Sequence, residues 1–258
     1  MRKFLIAAAA MAALCGGAYA SPPPAPPDAP EQSEAMKAFA ALNADFAKAQ
    51  KEFFAAYKAA KTDEDKMKAG ALRPKPEEWS AKFKAVAEKY PADPTAADCW
   101  AWIVKNDRTA ATQAAALDAL LAKHLASESV AHVCHSLEYS QAPNAESFLR
   151  AVMEKSKDHE AQGRASYTLA RMLSARAENA EQSKEPEALF ERVAEKFTDV
   201  KYGTGSLADK AKGDLFEIRS LAVGMAAPEI VGEDENGKAI KLSDFRGKVV
   251  LLDFWGFW

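Results

Sequence analysis

The chain has 258 residues, 34 Lys and Arg against 37 Asp and Glu, a formal net charge of -3 and 48% hydrophobic residues, a globular composition with room for one or two domains. Acidic and basic residues are interleaved along amphipathic segments rather than massed, so the electrostatic footprint of a nucleic-acid partner is absent. Its three cysteines, Cys15, Cys99 and Cys134, form no CxxC pair.

Arg2 and Lys3 precede eleven apolar residues, Phe4 to Leu14, and then Ala18-Tyr19-Ala20 before Ser21. That order reads as a secretory signal peptide over residues 1–20, cleaved after Ala20, which sends the protein to the periplasm or the cell exterior. The apolar run is shorter than the ~20 residues of a membrane span, so no stable span is expected. Cys15 offers an alternative, a lipid anchor, but the bulky Leu14 directly before it disfavours that reading. Residues 21–31 form a Pro-rich linker, with six prolines between Ser21 and Pro30 that favour extended polyproline structure.

From Gln32 to Lys61, Phe39, Phe46 and Phe53 recur every seven residues and predict one long amphipathic helix. A charged interval with Gly70, Pro74 and Pro76 is expected to be a loop. Trp79, Phe83, Val86 and Tyr90 then line a helix stopped by Pro91, and Asp93-Pro94 opens the next, Thr95 to Asn106. Six further apolar stripes predict six more helices, the last marked by Leu207, Leu215, Ile218 and Leu221 and ended by Gly224.

A weak repeat runs through this region. Phe83-Lys-Ala-Val86-Ala-Glu-Lys-Tyr90 matches Phe190-Glu-Arg-Val193-Ala-Glu-Lys-Phe197, and Leu149 to Lys155 echoes both. With Trp79 and Pro91 it resembles the second helix of a tetratricopeptide repeat, although spacings of 41 and 66 residues do not keep that repeat's period. Residues 32–223 are therefore expected to be an irregular helical-hairpin domain, able to bind a protein partner or to serve as a scaffold.

Cys99 and Cys134 lie 35 positions apart, which matches no redox dithiol. In an oxidising compartment they would be either one structural disulfide or two small buried residues. His132, Cys134 and His135 fall within four residues, but Cys134 points away from the helical face shared by the two histidines and no second cluster completes a four-ligand set. Ala131 stands where haem attachment needs a cysteine. No metal or cofactor is expected, and His124 and His159 read as isolated surface or core histidines.

Residues 224–258 carry the specific signal. A strand around Glu229 to Glu233, a type I′ turn at Asn236-Gly237 and a strand Lys238 to Lys241 predict a hairpin. A polar turn, Leu242 to Lys248, leads into the apolar run Lys248 to Trp255, which reads as a strand buried on both faces. The motifs A-P-E-I, D-E-N-G-K, L-S-D-F-R-G-K and V-V-L-L-D-F-W together resemble the opening of the redoxin family, secreted or membrane-tethered thioredoxin-fold proteins related to TlpA-like thiol-disulfide oxidoreductases and AhpC/TSA peroxiredoxins.

The resemblance implies a mainly α chain in which a helical domain precedes the first hairpin and strand of an incomplete thioredoxin-like α/β domain. Phe254-Trp255-Gly256-Phe257-Trp258 matches the disulfide-reductase branch, F-W-x-x-W-C-x-x-C, up to the residue before the first cysteine, and lacks the proline of the peroxidase branch. It implies Asp253 as the carboxylate beneath the dithiol, Trp255 and Trp258 as the active-site flank, and a protein disulfide substrate with a redox partner. The nucleophilic cysteines are not among the 258 residues, so the chain as it stands is expected to be inactive and the natural protein to continue past Trp258. The 37 residues from Ala222 onward are too few to bury a core of their own. The rival expectation is a helical binding or assembly module whose redoxin segment is vestigial.

Overall fold

The computed structural model describes residues 32–221 and 223–256. The signal peptide, Cys15, the Pro-rich linker and Trp258 lie outside the described residues, and every described element belongs to the unit Ser33–Trp258. It is mainly α: ten helices and two small antiparallel hairpins are described.

Helix α1, Glu34–Ala59, starts where the Ser33 side chain accepts from the Met36 amide. Helix α2, Asp63–Ala71, occupies the charged interval expected to be a loop. The reason is a capping box: Thr62 Oγ1 accepts from the Asp65 amide at 3.1 Å while Asp65 Oδ2 accepts from the Thr62 amide at 3.3 Å, and three acids sit at the positive end of the helix. Pro76 opens α3, Pro76–Lys89, rather than belonging to the loop, because proline is tolerated where the amide has no partner. Thr95–Asn106 forms α4 as expected, with Asp93 Oδ1 accepting from the Thr95 amide at 2.9 Å.

The remaining helices are α5, Ala110–Lys123; α6, Ser129–Ser136; α7, Ala145–Lys155; α8, His159–Ser174; α9, Ala180–Lys196; and α10, Leu207–Phe216. Neighbours in sequence pack on one another from α3 to α5 and from α7 to α10, with α6 against α4 and α8. Between α9 and α10 lies a hairpin that the apolar pattern did not signal, β1, Lys201–Tyr202, paired with β2, Gly205–Ser206. Two-residue strands are too short to show a period of two, and only Gly203, at φ 57°, marks the turn. Glu217–Leu221 continues α10 as one π-type turn, and Gly224 follows at φ 93°.

Two apolar clusters hold the helices. In the larger, Phe46 meets the edges of Trp79 and Trp102 at 5.3 and 5.0 Å, and Trp102 stacks on Phe83 at 4.1 Å. Each such ring contributes roughly 1.5–3 kcal/mol through burial alone. The smaller joins Tyr167 and Ala170 of α8 to Phe190, Val193 and Phe197 and to Leu207 and Leu215. Helix α8 serves both clusters, which explains why its residues are small and buried on most sides: Ala161, Gly163, Ala165, Ser166 and Ala170 let neighbours approach.

Strand β3, Val231–Glu233, pairs with β4, Ala239–Lys241, in the register Val231 to Lys241 and Glu233 to Ala239. The connection corrects the expected type I′ turn. Asp234 accepts from the Gly237 amide at 2.9 Å and donates its own amide to the Lys238 carbonyl at 2.8 Å, leaving three loop residues, with Gly237 at φ 76°. The side chain decides it: Asp234 Oδ1 accepts from the amides of Asn236 and Lys238, both at 2.9 Å, which favours the turn one residue earlier. A single 3-10 turn, Leu242–Phe245, follows.

The apolar run that reads as a doubly buried strand forms no strand. Residues 248–256 carry no ladder and are exposed. A strand covered on both faces requires neighbours on each side, whereas here Val250 and Leu252 meet the hairpin and its following 3-10 turn on one face.

Candidate functional site

The candidate site is the C-terminal segment, residues 223–256. Its frame is backbone hydrogen bonding at the foot of the hairpin, where the Leu242 amide donates to the Ile230 carbonyl at 2.9 Å. Glu229 locks the same corner: its Oε1 accepts from the Ser243 amide at 3.0 Å. Those bonds from Ser243, side chain and then backbone, hold the Glu229 carboxyl below its ordinary value. The Lys241 amide donates to Asp244 Oδ2 at 2.9 Å and the Lys248 amide to the Phe245 carbonyl at 3.1 Å, with Gly247 at φ 80° between them. The polar turn thereby aims the apolar run back across the hairpin.

Exposure along that run alternates. Val249 and Leu251 are 101% and 93% exposed, whereas Val250 and Leu252 are 42% and 48% exposed. The even-numbered pair, with Ile230, Ile240, Leu242 and Phe245, lines an apolar cleft of about 260 Å³. One face of the run is half covered, as the two-residue period of an extended chain dictates, and the other meets solvent. Asp253 is exposed and Trp255 is 74% exposed.

Cys99 and Cys134 are carried as two free, buried thiols on α4 and α6. Burial pushes the Cys99 thiol up to about 12, with Asp98 and Asp93 adding to it, and burial also pushes Cys134 up. Neither is poised as a nucleophile, which needs the thiolate. His132 and His135 are both exposed on α6, and among the described residues no group of three or more His, Cys, Asp or Glu is arranged to hold a metal ion. His159 Nε2 lies 3.1 Å from Asp199 Oδ1, and His124 is partly buried, which lowers its basicity together with Lys123.

One buried polar group escaped the reading of the sequence. Asp214, 3% exposed, accepts from the Tyr167 hydroxyl at 2.7 Å and from Arg171 Nη1 at 3.1 Å, and Arg171 also donates to Glu138. Burial and the Asp214 bond push the Tyr167 hydroxyl well above the usual phenol range. The signal was present: Leu207, Ala211, Asp214 and Leu215 recur on one face of α10, so the acid falls in the apolar stripe. The network fixes α10, the element leading into the candidate site, onto α8.

Short stretches of the chain are similar to thiol-disulfide oxidoreductases. Thiol-disulfide oxidoreductase ResA of Bacillus subtilis (strain 168) is 56% identical over 39 residues, 15% of this chain and 22% of that protein. ResA of Bacillus cereus (strain ATCC 10987 / NRS 248) is 50% identical over 47 residues, 18% of this chain and 27% of that protein. ResA of Bacillus anthracis is 43% identical over 54 residues, 21% and 27% of the two. The chain thus spans about a quarter of the length of these curated relatives. No protein-family model and no solved structure matches it. No helix among the described residues is long and apolar enough to cross a membrane.

Proposed function

We propose that residues 224–258 are the opening segment of a thioredoxin-like thiol-disulfide oxidoreductase domain, carried on an exported, tetratricopeptide-like helical domain, residues 32–223. One observation carries the reading: 56% identity over 39 residues to a thiol-disulfide oxidoreductase, close in length to the 35 residues that hold the ordered motifs. In this reading the dithiol is supplied by residues beyond Trp258. Its first cysteine, at a helix N-terminus, attacks a substrate disulfide as thiolate, forming a mixed disulfide and expelling the substrate's other sulfur as thiolate. Asp253 takes the proton of the second cysteine, whose sulfur then displaces the first substrate sulfur, leaving the substrate reduced and the enzyme's pair oxidised. Trp255 and Trp258 flank the pair, and a redox partner returns it to the dithiol. The role of Asp253 requires burial beneath the pair, so it belongs to the completed domain.

Insulin reduction by the natural protein, read through the codons after Trp258, tests the reading. Turnover that falls by roughly 100-fold or more in Asp253→Asn supports it; a continuation without CxxC sinks the dithiol mechanism.

A second reading, a helical binding or assembly module with a vestigial redoxin segment, is favoured by the placement of the core. Both apolar clusters are built mainly from helical residues, and no residue of 223–256 belongs to either. The intact mass of the native protein separates the two, since a mass ending at Trp258 supports the module.

A further inference from the structure

Helices α3, α4 and α5 enclose a cleft of about 370 Å³ whose lining includes Ser80, Lys84, Trp100, Ile103 and Asp107. Two of these residues are nearly inaccessible and polar: Asp107 is 1% exposed and Ser80 4%. Asp107 Oδ1 accepts from the Thr109 amide at 2.9 Å, an Asx turn that ends α4 and starts α5 and fixes the orientation of the carboxylate. Its other oxygen, Oδ2, has no hydrogen-bond partner, and neither has Ser80 Oγ. Among the described residues four buried side-chain atoms are unpartnered in this way, and two of them line this one cleft.

Leaving a buried acceptor without a donor costs about 1–3 kcal/mol, and more for a charged group. Folded proteins keep few such groups, and those they keep call for an explanation. Here the two acceptors share a cavity whose other walls are largely apolar, with an indole among them. Among the described residues the one cation at the cleft is Lys84, which lies 3.7 Å from Glu88 and forms no ion pair with Asp107. Glu77, exposed and also part of the lining, adds a second negative charge. An anionic ligand is repelled by Asp107 and Glu77, and a wholly apolar one leaves Asp107 Oδ2 desolvated. A cationic donor fits these features: its N–H groups would answer Asp107 Oδ2 and Ser80 Oγ, and its stem would pack against the apolar lining that includes Trp100 and Ile103.

We propose that this cleft binds a primary ammonium on a short apolar stem, presented either as a lysine side chain of a partner polypeptide or as a small free amine. The site stands on α3 to α5 alone and does not depend on the redox reading of the C-terminal segment.

The test is an NMR titration of the full chain, following the Trp100 indole N–H, with n-butylammonium chloride and with 1-butanol as its neutral counterpart. Saturable shifts are expected with the amine and not with the alcohol. Asp107→Asn keeps a carbonyl oxygen for the Thr109 amide while removing the charge, and should weaken amine binding by roughly tenfold or more. If that variant fails to fold by circular dichroism, Ser80→Ala and Glu77→Gln are titrated in its place, each expected to weaken amine binding. Equal binding of amine and alcohol, unchanged affinity in the folded variants, or no saturable binding of the amine overturns the proposal. A capped peptide with one central lysine, compared with the same peptide acetylated on that lysine, distinguishes the sources. Tighter binding than butylammonium, lost on acetylation, assigns a polypeptide; affinity no better than butylammonium assigns a free amine.

Discussion

Asp214 shows how one side chain can be held by burial and partners together. With the Tyr167 hydroxyl and Arg171 gathered on it, the carboxylate is compensated, and removing a partner exposes the cost of its burial. Tyr167→Phe deletes only the 2.7 Å bond, and is expected to lower the unfolding free energy by about 1–2 kcal/mol, seen as a lower urea midpoint at unchanged slope. Glu229 yields a prediction in pH. Its ordinary value is 4.5 and the folded value is lower, so the stabilisation is fully present above about 4.5 and is lost as pH falls through the folded value. The Ser243 amide resonance should therefore titrate below 4.5, and Glu229→Gln should abolish that titration. Neither the Asp214 network nor the Glu229–Ser243 lock was read in the sequence. Both join residues far apart in the chain, and a single sequence displays neighbours in number and not in space.

Among elements, the tightest constraint is where α9 ends against α8. A Cβ added at Gly163 would come within 2.7 Å of Phe197 Cδ1 and 2.9 Å of its Cγ, both part of a ring buried in the smaller cluster. Gly163→Ala must therefore displace a packed aromatic and is expected to cost about 1–3 kcal/mol by thermal or chemical denaturation, even though alanine is the better helix former. The long helices were legible because their stripes span many turns: Phe39 and Phe46 mark α1, and Leu149 and Val152 mark α7. Helix α2 was not, since it buries only Ala69 and has no stripe to read. Its existence rests on the Thr62 cap, which a reading led by Gly70 and Pro74 passes over. The hairpin β3–β4 was legible in place but shifted at its turn, because Asn236-Gly237 is a generic signal and Asp234 competes for the same amides.

At the scale of the whole molecule, the two apolar clusters leave the C-terminal segment outside them. The described apolar clusters draw on the helices and the loops between them, while Val249, Leu251, Phe254 and Trp255 are largely exposed. The motifs that resemble redoxins were readable because they are contiguous; the burial of the apolar run was not, because a strand's environment is supplied by other strands. The same geometry predicts how the two parts respond to shortening. Met225 and Val223 line a cleft of about 570 Å³ with Ile218, Arg219 and residues of α9, and Arg219 pairs with Glu187 and Glu191, so the last turn of the chain that supports the helices ends at Met225. A chain ending there removes no residue of either cluster. It is expected to keep its helical circular dichroism and a Tm within about 4 °C of the full chain, the shift of roughly 1 kcal/mol or less. It should also lose most binding of an apolar dye and any concentration-dependent association measured by sedimentation, since an exposed, extended apolar segment is a template for other chains. A fall in Tm well beyond that range would instead mean that the hairpin and the apolar run stabilise the helices, and that the two parts fold as one.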